Sequence, residues 1–474
     1  MSDPVLIEGG VVVTMDAERR LIEDGFLLVR DGEIAAIGEH SELEDTKDTI
    51  QSDAERIDAS GCIVVPGLIN THQHHWYNLF KGLGGGMLLE QWIQNLLKPT
   101  AAALEPADLE AAGRLACLEM LTTGTTTCLN HSVTNTDLAA VEATLQPVIE
   151  SGMRQLFAKE VRPEPLDEQL ALAEEVHRRW DGAGGGRVTI GLVLESTAHW
   201  VAMGTSSEEL ILRGDELAAR LGARISDHVA GGTMSREHGY LRFMLEMGRT
   251  DIEFLQELGV LDRKWVLAHA IHARDRDIEL IAASEASVAH TPTSESARGG
   301  GITPVRRFRD AGIGVSLGSD GPMVDTSVDM LEQMKAVVLF QNQLHRDPLA
   351  IPPEEALAMA TCDAARALGL DDWVGSLEAG KRADVAIFDL ATPHSAISHD
   401  PVAALAGSVR GTDARWVLVD GEPLIREGEF ARHDREAIAA ILAEARARSA
   451  ELLGRANVPA RRAVAERASL PSIV

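Results

Sequence analysis

Residues 62–74 read CIVVPGLINTHQH. The β-branched apolar residues make a buried strand, and the run ends in His72 and His74, polar groups unusual for one. Residues i and i+2 of a strand point to the same side, so both imidazoles can reach one ion. Imidazole and carboxylate ligands suit zinc, iron(II), cobalt or nickel.

Seven similar runs follow: TTTCLNHS (125–132), MRQLFAKEV (153–161), RVTIGLVLES (187–196), ARISDHVAG (223–231), KWVLAHA (264–270), ASVAHTP (286–292) and IGVSLGSD (313–320). Between them lie segments such as DLEAAGRLACLEMLTT (108–123) and DEQLALAEEVHRRW (167–180), with apolar residues three to four apart. Strands alternating with helices imply a parallel sheet, and eight such units match an α/β fold, a (β/α)8 TIM barrel over 62–370. An open doubly wound sheet is the competing architecture. His228, His269, His290 and Asp320 also stand at the C-terminal ends of their runs, the end at which barrel active sites are built.

The two ends of the chain have another texture. VLIEGGVVVTM and GFLLVRDGEIAAIG near the start resemble VGSLEAGKRADVAIFDL (374–390) and ARWVLVDGEPLIREGEF (414–430). These predict one small β-sandwich domain built from both termini, residues 1–61 and 371–430. In the remainder, 431–474, DREAIAAILAEARARSAELLGRA (434–456) reads as a helix packed on the body or at a subunit interface, and the last stretch as a tail. A homo-oligomer is the expectation.

The chain has 474 residues and 73 acidic against 44 basic side chains, a net charge of −29. Such a surface repels phosphate, so neither nucleic acid nor an anionic membrane is an expected partner. The four cysteines, Cys62, Cys117, Cys128 and Cys362, form no CxxC pair, which argues against a disulfide framework or an all-cysteine zinc site. MSDPVLIEGG has no basic n-region or long apolar h-region, and no run of 18 apolar residues occurs, so the expected location is the cytoplasm.

Other motifs fit less well. GSLEAGKR (375–382) has Arg382 where a P-loop needs Ser or Thr, and it leads into a strand. GVSLG (314–318) matches GxSxG, but Ser316 lies inside a strand rather than on an elbow. HExxH and HxE…PCxxC are both absent.

PGLINTHQH, LAHA (267–270), AHTPTS (289–294), LGSDG (317–321) and ATCDAARALGL (360–370) followed by GSLEAGKRADVAIFDL together resemble the amidohydrolase superfamily. The resemblance is to its single-metal branch, which includes atrazine chlorohydrolase, other s-triazine hydrolases and ring deaminases. It implies a metal-dependent barrel plus a β-sandwich from both termini. It further implies that His72, His74, His228 and Asp320 bind one divalent ion per chain, zinc first, with Fe(II) or Co as alternatives. Asp320 and His269 would be the catalytic pair, His269 touching the water or the substrate. Two-metal members carry a bridging carboxylated lysine on strand 4, whereas this run ends in Glu195-Ser196, with Lys159 on strand 3.

Two departures bear on the reaction. Deaminases of the branch have HxxE after strand 5, the glutamate protonating the ring; here the sequence is His228-Val-Ala-Gly231. Nucleoside deaminases place a carboxylate before a Trp after strand 1; here Gln91 precedes Trp92, with Glu90 adjacent. Strand 7 carries Glu295 in place of the usual Asn.

The expected function is a metal-dependent hydrolase of a carbon–nitrogen, non-peptide bond in a small aromatic or heterocyclic molecule. A divalent ion lowers the pKa of its water to about 7, and the hydroxide adds to an sp2 carbon. Asp320 would accept and return the proton, with Glu195, Lys159 and Glu295 as further acid candidates. The absent acid at Gly231 favours a phenylurea or thiocarbamate over ring deamination. A dehalogenating s-triazine hydrolase, a non-catalytic barrel and a metal-free serine hydrolase using Ser316 are the alternatives. Aromatics are only 4% of the chain, yet Trp76, Tyr77, Phe80 and Trp92 cluster after strand 1 and Trp200 follows strand 4. Trp76, Gln91, Trp92, Glu195 and His290 are the expected substrate contacts.

Overall fold

Gly67 divides the run on which the sequence reading turns. A side chain there would collide with Thr126, and at this residue the chain passes from one sheet to another. The computed structural model describes residues 4–43, 54–197, 201, 204–234 and 239–459. Trp200 and most of the C-terminal tail lie outside the described residues.

Strands β1 (Val5–Val13), β2 (Leu21–Arg30), β3 (Glu33–Glu39), β4 (Glu55–Asp58) and β5 (Cys62–Pro66) precede the barrel. The barrel strands are β6 (Leu68–Gln73), β7 (Thr125–Ser132), β8 (Arg154–Glu160), β9 (Val188–Val193), β10 (Ile225–Val229), β11 (Trp265–His269), β12 (Ser287–His290) and β13 (Val315–Leu317). After it come β14 (Val385–Asp389), β15 (Ala414–Val419), β16 (Glu422–Arg426) and β17 (Glu429–Phe430).

β6 to β13 pair in parallel in sequence order. A bridge between Gln73 and Asp320 and a hydrogen bond from Thr71 Oγ1 to the Leu317 carbonyl (2.8 Å) bring the first and last strands together. Alternate residues fill the interior: Ile69, Leu129, Leu156, Val193, Val266 and Ala289 form one apolar cluster. The helices between are capped as their sequences require. Asp137, Ser207 and Thr250 accept from the first-turn amides, and Gly152, Gly222 and Gly259 close the other ends at positive φ.

The strands of the two termini form one nine-stranded mixed sheet, in the order β17-β16-β15-β14-β5-β1-β2-β3, with β4 also on β1. The expected sandwich is thus one continuous hydrogen-bonded sheet. Register shifts around Gly10 bend β1, which reaches β2 along its length and β5 at its far end. Val5, Ile7, Leu27 and Val29 then share a core with Val385, Ile387 and Leu418. Cys62–Pro66 belongs to this sheet, pairing with β1 and β14, so the run read as one barrel strand is two strands.

Arg154, at the start of β8, ties the barrel to the sheet. Its Nε and Nη2 donate to both oxygens of Asp384 (3.0 Å each), and Nη2 donates to Asp420 (2.6 Å). All but Asp420 are buried. Arg154→Met is expected to strand these carboxylates and cost about 3–5 kcal/mol, read as a lower urea midpoint.

The helix Arg435–Arg455 buries Ala445, Leu452 and Leu453 against the aromatic cluster that follows β6, and Ser449 donates to the Leu79 carbonyl. Of the two placements expected for this helix, its apolar face takes the one on its own body.

Candidate active site and metal centre

Five imidazoles and a carboxylate meet at the C-terminal end of the barrel. His72 on β6 and His74 just beyond it point the same way, as the two-residue period requires. Asp320 Oδ1 lies 3.7 Å from His72 Nε2 and 3.4 Å from His74 Nε2. Ligands held ~2.0–2.1 Å from a tetrahedral ion lie about 3.3–3.4 Å apart, so this spacing fits a shared cation. His72, His74 and Asp320 form one group able to hold a metal, and His72, His131 and His228 an overlapping one.

The hydrogen bonds behind these rings decide which nitrogens are free. His74 Nδ1 donates to the His131 carbonyl (2.8 Å), leaving Nε2 with its lone pair. His228 Nδ1 donates to Glu195 Oε1 (3.3 Å); burial lowers this imidazole, but Glu195 and Asp320 outweigh it and raise it above the usual range, so a cation taken up at Nε2 displaces a proton. Both nitrogens of buried His72 lack a hydrogen-bond partner, the state expected of a side chain whose partner is an ion. Burial, then the neighbouring imidazoles, hold His72 and His74 well below the usual histidine range, so both are neutral donors.

His131, on β7, is not among the residues singled out from the sequence. The same signal is present, a histidine near the end of a barrel run. Its Nε2 donates to Glu195 (3.3 Å) and its Nδ1 accepts from Ser226 Oγ (2.9 Å). Burial and His228 push it down to about 4. With both nitrogens engaged, its part is to hold Glu195 behind His228. Burial alone raises the Glu195 carboxyl, but His228 and His131 outweigh it and keep the group ionised.

Asp320 is held by Ser294 Oγ (2.7 Å) and by its own amide on the His72 carbonyl (2.9 Å). Burial opposes its charge, but His269, His74, Arg298 and Ser294 keep its carboxyl below the usual range. Four strand-end residues, Glu195 (φ 46°), Ala230 (φ 46°), His269 (φ 74°) and Asp320 (φ 57°), adopt left-handed backbone. Such conformations cost about 1–3 kcal/mol each and cluster at functional sites.

His269 completes the ring, its plane 10° from that of His228 with centroids 5.5 Å apart. Its Nδ1 lies 3.0 Å from Thr291 Oγ1, whose hydroxyl donates to Glu295 Oε1 (3.2 Å). Glu295 also accepts from the Thr291 amide (3.1 Å) and from Thr303 Oγ1 (2.6 Å). Since the Thr291 proton goes to the carboxylate, its oxygen accepts the His269 Nδ1 proton, and Nε2 carries the lone pair.

A cavity of about 440 Å³ lies over this face. His74, Glu195, His228, His269 and Asp320 form its floor. Tyr77, Trp92, Leu89, Ile93, Leu97 and Phe243 make an apolar wall. Among the expected contacts, Trp92 and Glu195 line the cavity. Trp76 does not: it packs on Tyr77 and Phe80, and Tyr77, 4.4 Å from the His74 ring, takes the lining position. Gln91 does not either, because its Oε1 accepts from the Leu88 amide (3.0 Å) in a helix cap. His290 is turned away, with Nδ1 3.1 Å from Glu295 Oε2. Lys159 is buried and donates to the Glu160 carbonyl. Ser316 lies in the barrel wall between Thr71 (2.9 Å) and the Val288 carbonyl (3.3 Å), and among the described residues no histidine is hydrogen-bonded to it, which argues against the serine-hydrolase alternative.

The model of the amidohydrolase family matches residues 63–424. The chain is 32% identical over 456 residues to a 5'-deoxyadenosine deaminase of Methanosarcina acetivorans, covering 96% of this chain and 99% of the relative. The chain belongs to the amidohydrolase family. It is a hydrolase acting on carbon–nitrogen bonds, and the family fold carries a divalent-metal site. The fold matches an adenosine deaminase from Xanthomonas campestris with bound zinc (TM-score 0.85, 24% identity, 95% of this chain and 98% of that one). It also matches atrazine chlorohydrolase from Arthrobacter aurescens complexed with zinc (TM-score 0.83, 23% identity, 94% and 100%). Among the described residues, no helix of this amidohydrolase is long and apolar enough to cross a membrane.

Proposed function

We propose that this amidohydrolase removes ammonia or a small amine from a flat, nitrogen-containing ring. The carrying observation is Asp320 set between His72 and His74 on the floor of a cavity with an apolar, aromatic wall. The deaminase relative, matched over nearly its whole length, supports ring deamination over the urea or thiocarbamate cleavage suggested by Gly231.

His72, His74, His228 and Asp320 would hold one divalent ion, zinc being the first choice for this donor set. Such an ion makes water nucleophilic at neutral pH. The water oxygen bonds to the ring carbon, the carbon–nitrogen bond breaks, and the nitrogen leaves with a proton. Asp320 takes the water proton and returns it to the departing nitrogen. His269, with its Nε2 lone pair, orients the water. Tyr77 and Trp92 hold the ring plane and exclude bulk water.

Gly231 is tightly packed, so the usual acid could stand there only if the His269 ring shifted by a few tenths of an ångström. A Cβ there would lie 3.0 Å from the His269 ring. Glu195 is held by two histidines, and Glu90 accepts from the Thr233 amide (3.0 Å) and hydroxyl (2.6 Å). Both carboxylates are engaged in these bonds, which favours Asp320, set against His72 and His74, as the proton carrier.

The test is ammonia or amine release from a panel of amino-substituted pyrimidines, purines and triazines, with metal content measured alongside. We expect about one ion per chain, activity lost on chelation and restored by zinc. Release that persists in metal-free protein would overturn the reading.

A further inference from the structure

Arg298 follows the short helix Pro292–Ala297 and lines the catalytic cavity. It is only 5% exposed. Its Nε and Nη2 have no hydrogen-bond partner, and among the described residues no carboxylate lies within ion-pair distance of it. A buried guanidinium left without acceptors bears the full cost of its desolvation, so such groups are normally paired. The fold supplies partners to the other buried arginine, Arg154, which has two carboxylates. At Arg298 none is present among the described residues, and the charge acts on Tyr77, His269 and Asp320, all of which border the same cavity.

We propose that Arg298 receives an oxo oxygen on the ring being hydrolysed. This rests on the C–N hydrolase reading above and narrows its substrate to amino rings that also carry a carbonyl. Guanidinium N–H groups match such an acceptor and donate charge-assisted bonds to it. Leu89, Ile93, Leu97 and Phe243 of the same lining carry no polar side-chain group, so the guanidinium sets which edge of a flat ring it meets. A ring without the oxygen leaves the buried charge unpaired and is discriminated against. Glu90, which also lines the cavity, is not an equivalent anchor, because a carboxylate accepts and cannot donate to such an oxygen.

The experiment compares matched pairs, isocytosine with 2-aminopyrimidine and guanine with 2-aminopurine, in wild type, Arg298→Met and Arg298→Lys. We expect wild type to prefer the oxo member. Arg298→Met should lower that preference, the ratio of the two kcat/KM values, by about 10–100-fold, chiefly through KM. Arg298→Lys should keep part of it, since an ammonium retains the charge but loses the planar fork. An unchanged ratio, or equal loss on both members, would overturn the proposal. Titration calorimetry with the oxo products provides a readout independent of turnover. Weaker product binding in Arg298→Met supports the assignment even if no panel member is turned over, an outcome that would sink the deamination reading instead. Should Arg298→Met fail to fold, wild-type preference for the oxo-free member, or equal binding of oxo and oxo-free rings, would refute it.

Discussion

Asp320→Asn should lower kcat/KM for the best ring substrate by about 10²–10⁴-fold while leaving the fold intact, the range expected for a positioned proton carrier. The substitution suits the site in shape. Position 320 sits at φ 57°, and asparagine is among the few residues that tolerate left-handed backbone. The amide oxygen can still accept from Ser294 Oγ, now at 2.7 Å from the carboxylate. What changes is chemical. A carboxylate can receive a proton and hand it back, and an amide cannot. The negative charge facing His72 and His74 also disappears, so metal affinity should fall. Two measurements separate these losses: elemental analysis, and kcat at saturating zinc. If the variant reloads with zinc and stays within tenfold of wild type, Asp320 is not the proton carrier. Loss that zinc fully restores would make it a ligand only.

The barrel could be read because short apolar runs, most with a polar group at or just beyond the C-terminal end, alternate with segments of three-to-four spacing. The candidate metal-site residues were legible because residues two apart on a strand face the same way and the strand ends of a barrel meet at one face. His131 obeys that rule at the end of β7 but forms no close sequence pair that would mark it. The break at Gly67 was hidden because the strands that pair with Cys62–Pro66 are remote in sequence. Trp76 and Gln91 misled because they lie beyond the strand, in helical turns. There, nearness to His74 along the chain does not fix which side chain faces the cavity, and Tyr77 takes the place expected of Trp76. His290 ends a strand like the others, but Glu295, five residues later, folds back beneath it. That carboxylate could be seen in sequence only as a departure from a pattern; its position under His269 is a product of tertiary structure.

That position makes Glu295 the second residue whose loss should be felt strongly. Glu295→Gln should reduce kcat by about 10–100-fold with little change in KM, the size usual for a group that orients a catalytic histidine. In the native chain the proton order is forced. Glu295 accepts from Thr291, Thr291 accepts from His269 Nδ1, and His269 Nε2 is bare. A glutamine can offer its NH₂ to Thr291 and reverse the chain, placing the lone pair of His269 on the buried side. Size and shape are nearly kept, so thermal stability should fall far less than activity. Thr291→Val removes the middle of the relay with little change in volume and should give a similar loss. Thr291→Ser restores the hydroxyl and should recover most of the rate. ¹⁵N signals of labelled histidine, with His269 assigned by its absence in His269→Asn, report the tautomer directly. A rate that follows stability across the series, with the tautomer unchanged, would assign Glu295 to packing. A rate that follows the tautomer would leave His269 dependent on a carboxylate that never enters the cavity.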